Sequence, residues 1–478
     1  MKIKVSINTV FIALLFLFSQ SLVAANSGQE DTVLKILSQQ EYIDIIKKYH
    51  PTAKNAALVI QQAQAELVKS RGGFDPSVAA KYQNKDFSGI NYYNYLNTEF
   101  KIPTWYGIEI KAGTEQLGGG RNNPENTFGQ SSYVGINIPL AKNLLMDKRR
   151  NLLKQAKLGV KQSEQEMLLQ MNDLLYGSMQ AYWSWAYSYK SYQLIKSIVV
   201  INQRRFGFVK SLQAQGEVAA IDTVEAHAQL YNFLVALNEA EVKLANATLE
   251  VSNYLWLDNN EPYALPDGIV PDTLWHAANF GAMGQELLDS LGLLSITQHP
   301  KLQSYDYKLD ALEVERKFRT QNLLPDFTVS ANVLSKGYGN FGAVDRAYLE
   351  NNNKLAINFS LPLRLSEARG ERNKVNLKIT ETQYGRAYDK LAIENKIVQA
   401  TNSIQALREQ IRLTEITQAN YSSLYSAEDT RFTLGESSLF LVNTRENKML
   451  DTQKKLLQLK ADYYKAMAGL QWAAASLY

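Results

Sequence analysis

Residues that perform catalysis are scarce in this chain. Its 478 residues include four histidines and no cysteine, which excludes disulfides, thiolate metal sites, a thiol nucleophile and a lipidated cysteine. Two of the histidines, His50 and His299, precede prolines at expected helix starts, where a structural role is favoured. The sequence shows no phosphate-binding glycine loop, metal-ligand spacing or nucleophile elbow. We therefore predict that the protein is not an enzyme and uses no cofactor or metal.

Charged residues instead gather near two Gly-Glu pairs, Gly216-Glu217 and Gly435-Glu436, each of which interrupts a helical pattern. Asp222 and Glu225 follow Gly216 by six and nine residues. Asp222-x-x-Glu225 also has the spacing of a capping box, as has Asn443-x-x-Glu446, so helix capping is the alternative to a functional role.

The second Gly-Glu pair differs from the first in its flanking residues. Six and nine residues after Gly435 stand Leu441 and Thr444, which carry no charge. Three arginines near the two breaks could pair with Asp222 or Glu225 between neighbouring helices: Arg204, Arg431 and Arg445.

The elements that position these residues follow a duplicated design. Two long runs, 140–261 and 363–478, contain no proline, and a block with similar Pro spacing precedes each run. The offset from Pro51 to Pro300 is 249 residues, and the offset from Pro76 to Pro325 is also 249. This spacing predicts two repeats, at 26–257 and 299–478, with a connecting segment at 258–298 that packs around the middle of the helical region.

The proline-free runs have helical periodicity over about 143–213 and 366–431. In the second run, apolar residues at alternating steps of four and three form a heptad seam: Ile393, Ile397, Ala400, Ile404, Leu407 and Ile411. Shorter helices are predicted after each Gly-Glu pair. A helix of about 70 residues would extend ~100 Å, which suits a tube or a rod better than a globular core.

Alternation of period two predicts four strands, around 77–83, 133–140, 327–333 and 355–363. The interval Pro51–Pro139 is 88 residues and the interval Pro300–Pro362 is 62, so the first repeat has 26 more residues (88 − 62). The surplus falls around 91–116, where either an additional hairpin or a structured outer loop would fit.

The first 25 residues have the features of an export signal: Lys2 and Lys4, an apolar run from Val10 to Phe18, and small residues at 23–25. Removing it takes two of the 51 basic residues and leaves 49 against 47 acidic ones. This near balance gives no reason to expect a nucleic-acid partner.

The order strand, long helix, Gly-Glu break, shorter helix, repeated once, resembles the TolC-type outer-membrane efflux protein family. The resemblance covers essentially all of the chain after the signal. The residues that carry it are the His-Pro pairs at 50 and 299, Gly73-Phe74-Asp75-Pro76, the Pro-Leu pairs at 139 and 362, basic clusters after the latter (Lys148, Arg149, Arg150; Arg369, Arg372), and Arg431-Phe432-x-x-Gly435.

The resemblance implies an α+β membrane protein that forms a homotrimer. Each chain would give four strands to a shared 12-stranded β-barrel in the outer membrane and its long coiled-coil helices to a periplasmic α-barrel. The product would be a passive exit duct for efflux or secretion, driven by an inner-membrane transporter through a periplasmic adaptor. Four strands cannot close a barrel alone, and open edges are not tolerated in lipid, so strands that span the membrane require oligomerisation.

The resemblance also implies roles for the residues near the Gly-Glu pairs. Asp222 falls where acids gate the periplasmic entrance in the family, with Glu225 beside it; Leu441 and Thr444 depart from that acidic pattern, so an apolar constriction is the preferred hypothesis. Gly216, Glu217, Gly435 and Glu436 are first of all turn residues, and secondly candidate docking points for an adaptor.

The alternative function is a soluble periplasmic coiled-coil scaffold or adaptor, which would need long helices but no membrane-length strands.

Overall fold

The structure of the protein, a computed structural model, describes residues 35–120, 128–266, 268–278, 280, 296, 298–336 and 352–478. The expected export signal at 1–25 and part of the connecting segment lie outside these residues. Across the described part of the chain, no helix combines the length and apolar character needed to cross a membrane.

The described elements follow a similar order in the two halves of the chain. The first half contains β1 (Lys35–Leu37), α1 (Gln39–Tyr49), α2 (Pro51–Arg71), β2 (Ser77–Phe87), β3 (Ile90–Pro103), β4 (Glu109–Gly118), β5 (Gly129–Pro139), α3 (Lys148–Ala214) and α4 (Ala220–Ser252). The second contains β6 (Ile269–Pro271), α5 (Pro300–Gln321), β7 (Asp326–Lys336), β8 (Asn353–Ser360), α6 (Ser366–Thr433) and α7 (Leu439–Ala473). Elements α1, β3 and β4 have no counterpart among the described elements of the second half.

Two helices dominate the molecule, α3 with 67 residues and α6 with 68. Each therefore extends about 100 Å at the usual rise per residue. The predicted seam of α6 is buried: Ile404 and Ile411 pack in one cluster with Leu459 and Tyr463 of α7. The prediction of an α+β protein with long packed helices is confirmed.

The middle of α3 is fixed by an aromatic core. Trp183 and Trp185 are buried together with Tyr42 of α1 and Trp275, which follows β6. Strand β1 pairs in parallel with β6 at the same level. The described part of the connecting segment therefore packs against the middle of a long helix.

Each His-Pro pair starts a helix. His50 Nδ1 accepts the backbone N–H of Thr52 at 3.1 Å, and His299 Nδ1 accepts that of Lys301 at 3.2 Å. The proline that follows each histidine occupies the first helical turn, where its missing N–H costs nothing. Both histidines thus have the structural role expected from the sequence.

The strands form one antiparallel sheet in the order β2-β3-β4-β5-β7-β8. The predicted number of four strands per chain is wrong, because β3 and β4 are inserted between β2 and β5. Ser88 and Gly89 both have positive φ, 53° and 75°, as a two-residue hairpin turn requires. The surplus of the first repeat is therefore an additional hairpin rather than an outer loop.

The sheet has two distinct faces. Across five strands in register, Phe100 pairs with Val78 and Ala112, Ala112 pairs with Val134, and Val134 pairs with Val333. Side chains in register share a face, because alternate residues of a strand point to opposite sides. The face that contains these five residues is mainly apolar, and we call it the apolar face. The opposite face is mainly polar and includes Lys81, Asn97, Glu99, Lys111, Glu115, Asn137, Asn332 and Lys354.

Candidate functional site

The two Gly-Glu pairs form matching turns at the ends of α3 and α6. In the first, Glu217 N–H donates to Leu212 O at 3.0 Å and Gly216 N–H donates to Gln213 O at 3.0 Å. In the second, Glu436 N–H donates to Arg431 O at 2.9 Å and Gly435 N–H to Phe432 O at 3.0 Å. Both are Schellman motifs, whose residue after the helix must adopt a left-handed conformation. Glycine supplies it, with φ of 81° at Gly216 and 78° at Gly435.

The two turns lie at the same end of the molecule. Val209 of α3, Ala226 of α4 and Leu439 of α7 form a buried apolar cluster, against which Val218 and Phe432 of the two turns pack. A hydrogen bond also joins α7 to α4, from Asn443 Nδ2 to Glu225 Oε1 at 2.9 Å. We call this end of the four helices, with both turns, the tip.

The predicted constriction residues all lie at the tip. Asp222 and Glu225 are half-buried in the first turns of α4, whereas Leu441 and Thr444 are exposed at the start of α7. The side chain of Asp222 accepts the backbone N–H of Ala219 at 3.2 Å.

The predicted capping boxes are not formed. They would have Asp222 and Asn443 as N-cap residues, but both helices begin earlier in the sequence. Helix α4 has Ala219 as its N-cap residue, and α7 has Ser438. Asp222 is therefore the third residue of α4 and caps with its carboxylate only, and Asn443 lies inside α7. The capping role of Asp222 accounts for one backbone N–H and leaves its charge half-exposed at the tip.

The predicted arginine pairs are not formed within one chain. Arg431 contacts Glu428 Oε1 at 3.8 Å and donates to Glu436 O at 3.3 Å. Arg204 is exposed on α3, and the Nε of Arg445 is buried without a hydrogen-bond partner in the described part of the chain. Pairing of these arginines with Asp222 or Glu225 stays a prediction for contacts between copies.

A buried polar cluster near the tip was not predicted. Arg205 of α3 donates from Nη1 to Glu446 Oε2 of α7 at 2.8 Å and from Nη2 to the Tyr425 hydroxyl of α6 at 2.8 Å. Asn202 Nδ2 also donates to Glu446 Oε2, at 3.0 Å, and Asp429 Oδ1 lies 3.4 Å from Arg205 Nη2. We call these five residues the Arg205 cluster. It ties three of the four long helices together next to the tip.

Electrostatics in the Arg205 cluster favour the charged form of the Arg205 guanidinium. Burial alone would disfavour the charged guanidinium of Arg205, but the hydrogen bond and charge of Glu446 outweigh it and raise the pKa of Arg205. Burial raises the pKa of Tyr425 to about 12; the charges of Glu446 and Asp429 act in the same direction, and that of Arg205 opposes them. The Glu446 side chain is fully buried, 2.8 Å from Arg205 Nη1.

A sequence signal for the Arg205 cluster does exist. Ile195, Ile198, Asn202, Arg205 and Val209 are buried at steps of three and four along α3. Two polar residues therefore occupy seam positions of the helix. Charged residues on a long helix usually lie on its solvated face, so this signal is easily passed over.

An apolar sheet face joined to helices of about 100 Å is an arrangement that this chain shares with solved outer membrane channels. The Campylobacter jejuni CmeC outer membrane channel is 16% identical, with a TM-score of 0.61 over 92% of this chain and 85% of that one. Vibrio cholerae VceC is 14% identical, with a TM-score of 0.63 over 91% of this chain and 96% of that one.

A third structure, the Neisseria gonorrhoeae MtrE outer membrane channel in its open state, is 12% identical with a TM-score of 0.62, over 91% of this chain and 88% of that one. Identities this low show a shared fold. In sequence, residues 294–476 match the family described as outer membrane efflux protein. No curated protein matches the chain.

The sequence match to the outer membrane efflux protein family thus covers residues 294–476, and the described chain as a whole shares the fold of solved outer membrane channels. These structural neighbours are outer membrane channels.

Proposed function

We propose that three copies of the chain form one continuous, passive duct, with their sheets in the outer membrane and their helices in the periplasm. The observation that carries this proposal is the apolar face of the sheet. On β8, for example, Leu355, Ile357 and Phe359 are about 60% exposed or more. A patch of this kind is a liability in water but is the required outward surface in lipid.

The open edges of the sheet support oligomerisation. Strand β2 is exposed at every position, and β8 is exposed at all but one. Unpaired backbone groups cost several kcal/mol each in hydrocarbon, so a sheet in lipid must close. One chain cannot close its sheet, and pairing between copies satisfies both edges.

The alternative of a soluble coiled-coil scaffold explains the helices but not the sheet. Such a protein would bury the apolar face in a core or lack it. Here each of the six strands carries at least one exposed apolar residue on this face, which favours the duct.

The tip is the proposed site of closure and of adaptor docking. Gly216, Glu217, Gly435 and Glu436 are exposed at the two turns, where a periplasmic adaptor can contact them. The adaptor would couple the duct to an inner-membrane transporter, which supplies the energy for transport.

Both the apolar and the acidic candidate residues would contribute to closure of the tip. Phe440 and Leu441 are exposed at the start of α7, beside the half-buried Asp222 and Glu225. A ring of apolar side chains from three copies would close the entrance by excluding water. Arg204, Arg431 and Arg445 would pair with the acids of a neighbouring copy, at about 0–1 kcal/mol for each exposed pair, so an adaptor could displace them easily.

Conductance across a planar lipid bilayer tests the duct directly. Purified protein is expected to insert and to give discrete, low-conductance steps that correspond to a closed or narrowed tip. Leu441→Ser should raise the conductance, because a small polar residue wets an apolar constriction without adding an acid. The exposed change Gln203→Ser, on α3 outside the proposed constriction, is the control and should have little effect. Absence of any channel activity in native protein would contradict the duct.

The charge of Asp222 is expected to narrow the tip independently of its capping role. Asp222→Asn removes the charge but keeps a side-chain acceptor for the Ala219 N–H, whereas Asp222→Ala removes both. If the charge matters, both variants raise single-channel conductance. Unchanged conductance in both removes Asp222 from the constriction, and an increase in the alanine variant alone assigns the residue to capping.

A further inference from the structure

The additional hairpin formed by β3 and β4 has the dimensions of membrane-spanning strands. Strand β3 has 14 residues and β4 has 10, and about 9–11 residues suffice for a tilted strand to cross the hydrocarbon. Strands β2, β5 and β7 have 11 residues each. The hairpin is therefore as long as the strands on either side of it.

The hairpin also continues both faces of the sheet. Leu96, Phe100 and Ile110 extend the apolar face and are exposed. Glu99, Lys111 and Glu115 extend the polar face, in register with neighbours on either side. A hairpin that lay outside the barrel, in water, would have no reason to keep this alternation.

Polar contacts bind the hairpin to β5. The Tyr133 hydroxyl of β5 reaches across β4 and donates to Glu99 Oε2 of β3 at 2.9 Å. Gly113 of β4 makes this possible, since a Cβ there would lie 2.6 Å from the Tyr133 ring and hydroxyl. On the same polar face the Tyr95 hydroxyl donates to Glu115 Oε1 at 3.2 Å.

The turn between β3 and β4 is fixed at the junction of sheet and helices. Trp105 of the turn stacks on Phe74, which follows α2, with ring centroids 4.1 Å apart. Beyond the turn, Glu109 at the start of β4 forms ion pairs with Lys101 at 2.9 Å and Arg149 at 3.0 Å. The hairpin is thus held at its base by the helical region and along its length by β5.

The two edges of the six-stranded sheet can join neighbouring copies. Because six is an even number and every neighbouring pair is antiparallel, β2 and β8 run in opposite directions. The β8 edge of one copy can therefore pair in an antiparallel manner with the β2 edge of the next. Antiparallel pairing then continues around the whole ring, as membrane barrels require.

We propose that three copies of this chain form an 18-stranded outer-membrane barrel, in which the β3–β4 hairpin of each copy is a full part of the wall. This proposal rests on the trimeric duct proposed above and departs from the 12 strands implied by the family resemblance. At equal tilt, barrel diameter grows with strand number, so the lumen would be about 1.5-fold wider than that of a 12-stranded barrel. Size selection would then fall on the periplasmic tip rather than on the barrel.

Electron cryomicroscopy of the full protein in lipid nanodiscs tests the proposal by counting strands. Three copies with 18 strands are the expected result. Three copies with 12 strands and the hairpin outside the wall would overturn this proposal and leave the proposed duct intact. A particle with one copy would overturn the duct itself, and with it this proposal.

Spin labels give a second, independent readout, because the chain has no cysteine. Single-cysteine variants Leu96→Cys and Asn97→Cys probe the two faces of β3, and Ile136→Cys and Asn137→Cys are controls for the same two faces on β5. Labels at 96 and 136 are expected to be relaxed by lipid-soluble oxygen, and labels at 97 and 137 by a water-soluble nickel complex. Water access at position 96 with lipid access at position 136 would place the hairpin outside the wall and overturn the proposal.

Discussion

At the scale of single residues, the most consequential arrangement is the ion pair between Arg205 and Glu446. Glu446 lies inside the protein and Arg205 is nearly so, and the pair connects α3 to α7. Removing one partner of a buried pair leaves an uncompensated charge, whereas replacing both with apolar residues is often close to neutral. We therefore expect the pair to specify the arrangement of the helices near the tip more than to stabilise it.

We expect Arg205→Met to lower the free energy of unfolding by about 3–5 kcal/mol, because the carboxylate of Glu446 stays buried without its cation. The double variant Arg205→Met, Glu446→Leu should recover most of that loss. Arg204→Met, one residue earlier and exposed, is the control and should change stability by less than about 1 kcal/mol. Denaturant titration followed by circular dichroism measures all three; equal effects at 204 and 205 would contradict the role of the buried pair.

The two histidine caps predict a dependence of stability on acid pH. Burial lowers the pKa of His50 and of His299 below the ordinary value of 6.5, and a backbone hydrogen bond opposes this shift in each case. A lowered pKa in the folded state means that protons bind the unfolded chain more tightly. The contribution to stability is therefore complete above about pH 6.5 and is lost as pH falls through the lowered pKa values.

The double variant His50→Asn, His299→Asn should lose part of this acid sensitivity, because asparagine caps a helix without titrating near neutral pH. Thermal unfolding at pH 7.5 and at pH 5 measures the difference for the native and variant chains. His227→Asn, which changes a histidine on the exposed side of α4, should keep the native pH dependence. An identical acid shift in native and doubly substituted protein would show that the caps do not cause it.

At the scale of elements, the helices were predictable and the sheet only partly so. Seam positions such as Ile404 and Ile411 recur through the middle of α6, and no proline interrupts the run, so its length could be predicted to within a few residues. The number of strands was wrong because pairing is not local: nothing in the sequence of β4 shows that it lies between β3 and β5. The turn at 104–108 also contains a single glycine, so the break between β3 and β4 is inconspicuous.

In the candidate site too, features with a local sequence signal were predicted and features that depend on distant contacts were not. The Gly-Glu turns were identified because left-handed glycines at helix ends have a clear local signal. The start of α4 was misplaced because its N-cap, Ala219, lacks a side-chain acceptor and so gives no capping signal. Arg205 and Glu446 were missed because their partners are more than 200 residues apart in the chain.

Replacing glycine by alanine should have opposite effects on stability at a turn and inside a helix. Gly435→Ala should destabilise the protein by about 1 kcal/mol, because an alanine at positive φ is strained. Gly207→Ala, within α3 and with open space around its Cβ position, should stabilise it by about 0.5–1 kcal/mol. The unfolding midpoint measured by circular dichroism separates the two, and a stabilising Gly435→Ala would show that the second turn is not a Schellman motif in solution.

At the scale of the whole molecule, one chain is incomplete. Its sheet has an apolar face that needs lipid and two edges that need partners, whereas its helices are already packed in pairs along their length. These requirements are met together when copies join edge to edge around one axis. The sheets then form the wall of a barrel, the helices form a tube in the periplasm, and the tips form its narrow end.

The mass of the protein extracted from membranes in mild detergent tests this central claim most directly. Native mass spectrometry is expected to show a complex of three chains that separates into single chains on heating in a denaturing detergent. A monomer that stays in solution without any surfactant would contradict the account, since its exposed apolar face and open strand edges would then have no lipid and no partner.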